Sequence, residues 1–102
     1  MAKGKRKVTK KVIKPGKDII ASMADSFKKN LLGLVDGGIK ELTVNLAGVK
    51  MVDSVGLGVL IATHNSLSSA GGKLKVTDAS EDIYKLFKIM RLDQHFEVEM
   101  AG

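Results

Sequence analysis

The sequence predicts one α/β domain, a sheet of four or five strands joined by parallel crossovers and covered by helices. Two observations carry this. Segments in which apolar residues alternate are interleaved with segments of helical period, in the order strand, helix, strand, helix, strand, helix, strand. A length of 102 residues, 44% hydrophobic and only 4% aromatic, suffices for one core, filled by aliphatic side chains. Whether the helices cover one face of the sheet or both is left open by the pattern.

The first expected strand lies within 7–14, where Val8, Val12 and Ile13 sit among lysines and Pro15-Gly16 ends the run. Ser22-Met23-Ala24-Asp25 reads as a capping box, with Ser22 as N-cap. The stripe Met23, Phe27, Leu31, Leu34 and Val35 follows, and Gly37-Gly38 stops the helix. Leu42, Val44 and Leu46 alternate with Thr43 and Asn45 as a strand within 39–46. A second helix is expected over 55–70, ended by Gly71-Gly72, and Leu74 and Val76 mark the next strand. Ser80 caps a third helix whose first turn carries Glu81 and Asp82, where the helix dipole favours acids. Its inner face is read as Ile83, Leu86, Phe87 and Met90, and Phe96, Val98 and Met100 alternate as a last strand. Met23, Met51, Met90 and Met100 read as core filler.

Charge is segregated along the chain. The net charge is +6, but residues 1–17 hold eight basic residues and no acid, while the other 85 carry nine basic and eleven acidic residues. The basic segment, which has no aromatic residue, reads as a solvated terminus or edge strand in preference to a nucleic-acid or membrane arm. The absence of cysteine removes disulfides, thiol catalysis and thiolate metal sites. No apolar run reaches the roughly 18 residues that would span a membrane, and the basic start lacks the apolar stretch of a secretory signal. A cytoplasmic protein without cofactor is expected, its oligomeric state unspecified.

The loop Asp53-Ser54-Val55-Gly56-Leu57-Gly58 marks the passage from a strand region into the second helix, where α/β folds place their sites. Ser54 reads as the N-cap. Gly56 and Gly58 each cost about 1 kcal/mol of helix propensity, which demands a compensating close approach of backbone or partner. A phosphoryl group on Ser54 would be favoured by the helix dipole and opposed by Asp53, which makes the position suited to a switch. His64 and His95 lie far apart without the spacing of a metal pair, and no metal site is expected. There is no Gly-x-Ser-x-Gly elbow and no phosphate-cradling Gly-x-x-x-x-Gly-Lys loop, so neither hydrolysis at Ser54 nor nucleotide binding is expected.

The stretch Val52-Asp53-Ser54-Val55-Gly56-Leu57-Gly58-Val59-Leu60 resembles the signature loop of STAS domains, the family of bacterial anti-sigma factor antagonists and of C-terminal modules of sulfate transporters. Gly16 before Ala21-Ser22, the run Leu42 to Leu46, Gly71-Gly72-Lys73-Leu74, and Leu86-Phe87 before Leu92 and Phe96 follow the family's order. The resemblance implies a STAS-like four- to five-stranded mixed sheet with parallel crossovers, flanked by three to four helices, over 15–102, with 1–14 as a basic arm or edge strand. It implies a non-enzymatic module of transcription regulation that acts by partner switching. In stand-alone antagonists the serine after the loop aspartate is phosphorylated by a partner anti-sigma kinase, and the unphosphorylated form binds that partner and frees the sigma factor. The matching serine is Ser54. The implied docking surface is Asp53, Ser54, Val55, Gly56, Leu57 and Gly58, extended along the helix by Thr63, Asn65, Ser66 and Ser69. Two positions depart from the pattern. In Gly16-Lys17-Asp18-Ile19-Ile20, Asp18 stands in for one acidic neighbour of the site while Ile20 occupies the other, and Val55 replaces the usual Ser or Thr. These departures fit a second reading, a scaffold or accessory subunit of a signalling or lipid-transport complex.

Overall fold

The alternation in the central strands sets the architecture. In the computed structural model, which describes residues 9–102, the strands are β1 (Lys10–Ile13), β2 (Glu41–Asn45), β3 (Lys73–Ala79) and β4 (Glu97–Met100). Between them come the helices α1 (Ala21–Asp36), α2 (Ser54–Ser69) and α3 (Glu81–Ile89), with a 3₁₀ turn at Leu92–Gln94. The four strands stand in the order β1-β2-β3-β4, and all three ladders are parallel. The antiparallel member of the expected mixed sheet is not found among the described residues, and Val8 and the basic segment before it lie outside them.

Right-handed crossovers that add each strand to the same edge put every helix on one face. The side chains agree. Leu42, Val44, Leu74 and Val76 are buried, whereas their neighbours Thr43, Asn45, Lys75 and Thr77 are half-buried. The outer face is polar, with Lys75 3.1 Å from Glu99 and 3.8 Å from Glu97. Between sheet and helices lies a core that includes Phe27, Leu31, Leu60, Leu67 and Phe87, each burial contributing about 1.5–3 kcal/mol.

Three expectations fail locally. Ser22 is not a cap: α1 starts at Ala21, and Ile20 occupies the N-cap with no side-chain bond. Met90 is exposed because α3 ends at Ile89 and the chain leaves the helical path there. Met51 and Met100 are exposed as well, so of the methionines read as core filler only Met23 packs against the core. Ser80 caps α3 as expected, its Oγ accepting from the Ile83 amide at 3.2 Å.

Candidate functional site

The site forms where two loops meet at the C-terminal end of the sheet. The loop after β1 and the loop after β2 run side by side through a parallel bridge between Ile19 and Val52. The Ile19 amide donates to the Met51 carbonyl at 3.0 Å, and the Asp53 amide to the Ile19 carbonyl at 3.2 Å. Asp18 completes the pairing, its Oδ1 accepting the amides of Lys50 at 2.8 Å and Met51 at 3.1 Å. Its carboxylate therefore holds the loop in shape, a few residues short of Ser54.

Asp53 is the junction. It, and not Ser54, is the N-cap of α2, with Oδ1 accepting the Gly56 amide at 2.8 Å. Its Oδ2 accepts the amide of Ala21, the first residue of α1, at 3.0 Å. One carboxylate thus caps two helices, which is why α1 begins without a local cap. The Gly56 amide above all holds the Asp53 carboxyl below the ordinary carboxylate range; partial burial opposes the shift, and the Ala21 and Val55 amides add to it. With both oxygens engaged and its basicity lowered, Asp53 orients the loop and is a poor proton acceptor.

Gly56 answers the close-approach question. A Cβ there would overlap the Ile19 carbonyl oxygen and lie 2.9 Å from Ile19 Cγ2, so only glycine lets α2 start against the α1 loop. Gly58 differs: a Cβ there meets nothing within 4 Å, and the position is exposed.

Ser54 is thereby placed at the first turn of α2, exposed to solvent. Met51 and Val55 flank it, 55% and 48% exposed. Beyond them Gly58, Ile61, Asn65 and Ser68 are exposed at spacings of four, three, four and three from Ser54, one uncharged stripe along α2. Met51, Val55 and Ile61 are the large apolar side chains left exposed along this face.

Several expected contacts are not on that surface. Thr63 is fully buried and its Oγ1 donates to the Val59 carbonyl at 2.8 Å, so the hydroxyl is satisfied within the helix. Leu57 is buried in the core, and Gly56 faces Ile19. Asn65 is on the stripe, but with Ser66 and Ser69 it borders a groove with Val35 and Asp36, eleven to fifteen residues or about 16–22 Å along α2 from Ser54. Ile61 and Met51 were missed by sequence reading, although Ile61 falls on the helical period of Ser54. The histidines are not far apart in space: the ring centroids of His64 and His95 stand 5.9 Å from each other.

A family model described as the STAS domain matches residues 1–101. Over 75 residues the chain is 32% identical to an anti-sigma-B factor antagonist of Bacillus subtilis, covering 74% of this chain and 68% of that one. A Thermotoga maritima protein described as a candidate anti-sigma factor antagonist superposes with a TM-score of 0.85 at 24% identity, over 91% of this chain and 82% of that one. A sulfate transporter family protein of Wolinella succinogenes gives a TM-score of 0.77 at 17% identity, over 96% and 84%. These two structures share the fold, and the pattern that runs nearly end to end fixes the lineage: the chain belongs to the STAS domain family.

Proposed function

We propose that the chain is an anti-sigma factor antagonist that acts by partner switching, docking a kinase-type anti-sigma factor through the Ser54 loop and the exposed stripe of α2. The observation that carries this reading is Ser54 itself, exposed at a helix N-terminus beside a carboxylate whose oxygens are already committed. In the phosphorylated state a bond joins Ser54 Oγ to phosphorus, the hydroxyl proton leaves, and a nucleoside diphosphate departs from the partner's nucleotide. Nucleotide and metal come from the partner, for Asp53 is a poor base and, among the described residues, no cluster of three His, Cys, Asp or Glu is arranged for a metal. The added charge would sit favourably at the α2 dipole and unfavourably beside Asp53, and would cover the apolar Met51 and Val55 with an anion. The likeness to the Bacillus subtilis antagonist supports the partner class.

One observation favours the second reading, a scaffold or accessory subunit of a signalling or lipid-transport complex. Asp18 Oδ1 is occupied by two loop amides and Ile20 is apolar, leaving this edge of the site with little free acid. Mass spectrometry of the protein from its own cells separates the two. Phosphate on the tryptic fragment 51–73, mapped to Ser54 and absent from Ser66, Ser68 and Ser69, is the expected result. Binding of the anti-sigma factor with no such phosphate under any growth condition would leave only the scaffold reading.

A further inference from the structure

Away from the Ser54 loop, α2 meets the end of α3 and the 3₁₀ turn around a cleft of about 420 Å3. Leu92 and Phe96 are buried beneath it, while Ile61 and Met90 form a rim that is partly exposed. The volume falls in the range of small-molecule sites, which are apolar with a few converging polar groups. Here those groups are His64, His95 and Asn65. The His64 ring lies between two others, 5.9 Å from His95 and 5.7 Å from Phe96 by centroid.

His64 Nδ1 is buried and has no hydrogen-bond partner. A buried N–H without an acceptor is the costlier orphan, so the neutral ring keeps its proton on Nε2 and leaves Nδ1 as a lone pair. In that tautomer Nε2 is the ring's donor. His95 and the Asn65 amide can donate too, and no acid lines the cleft. Asp93, next to Leu92 in the chain, is held by Lys88 Nζ at 3.1 Å. A metal ion is disfavoured, because the imidazole pair has no third His, Cys, Asp or Glu ligand grouped with it among the described residues.

We propose that this cleft binds a small carboxylic acid with an apolar tail, its carboxylate accepting from His64 Nε2 and from His95 or Asn65, and its tail lying over Leu92 and Phe96. Eight to ten carbons suit the volume. The inference is independent of phosphorylation at Ser54, since His64 lies ten residues further on, about 15 Å along α2.

The test is a titration of the full-length 15N-labelled chain, followed by amide chemical shifts, with octanoate, 1-octanol and acetate in parallel. Octanoate should saturate with shifts confined to the amides of Ile61, His64, Asn65, Leu92, His95 and Phe96, and bind at least tenfold more tightly than octanol. Acetate should not saturate. His95→Leu, an exposed change, should weaken octanoate at least fivefold and leave octanol unchanged, and His64→Leu should do the same, with an otherwise wild-type spectrum certifying each fold. Equal affinity for octanoate and octanol, shifts scattered over the surface, or wild-type octanoate binding in both variants would overturn the proposal.

Discussion

At the scale of single residues, Asp53 does the most. Its folded-state pKa is lowered, so its contribution to stability is complete above the ordinary carboxylate range and is lost as pH falls through the folded value. Asp53→Asn should therefore be less stable than wild type at pH 7, with the gap closing below about pH 4, as read from thermal midpoints across pH. A constant gap would mean that the charge is irrelevant to the double cap. The two loop glycines make a paired prediction. Gly56→Ala should destabilise by about 3 kcal/mol, because backbone of the α1 loop must move. Gly58→Ala should stabilise by about 0.5–1 kcal/mol, since the added methyl meets nothing, and should weaken docking if a partner approaches there. Denaturant unfolding reads both. The Ser54 loop was legible in the sequence, but Asp53 as the cap of α1 was not: its partner Ala21 is 32 residues away, and capping patterns register only local neighbours. That is also why the Ser22-to-Asp25 capping box misled.

At the scale of elements, α2 carries core packing and, in the proposed function, the docking face. It contains no Asp, Glu, Lys or Arg, so its apolar and small residues must be divided between core and surface by packing alone. Leu57, Leu60 and Leu67 go inward; Ser54, Gly58, Ile61 and Asn65 stay out. The helix was readable from its glycine stop and its loop start, but its buried face was not, because a helix apolar on most sides gives no clear stripe. Thr63 was assigned to the surface for its hydroxyl, yet the bond to Val59 lets it be buried. Ile61→Lys should leave stability within about 0.5 kcal/mol and weaken partner binding at least tenfold by calorimetry. Unchanged binding would remove the middle of α2 from the docking face.

At the scale of the whole molecule, the parallel crossovers followed from the strand-helix alternation, while the choice of one helical face needed the strand order. Consecutive parallel neighbours β1 to β4 settle it, and the polar residues Thr43, Asn45, Lys75 and Thr77 are then the open side of the sheet. The meeting of His64 with His95 has the same origin: the chain after α3 turns back against α2, a contact that no residue spacing announces. The same frame brings the loops after β1 and β2 together through Ile19 and Val52, which places the start of α2 at the end of the sheet. A charge added there should change what docks and leave the fold intact. The direct measurement is the affinity of a kinase-type anti-sigma factor from the same cell for wild type, Ser54→Ala and Ser54→Asp, titrated calorimetrically. The account predicts wild-type binding for Ser54→Ala and a loss of at least tenfold for Ser54→Asp at unchanged thermal midpoint; equal affinity of all three would contradict it.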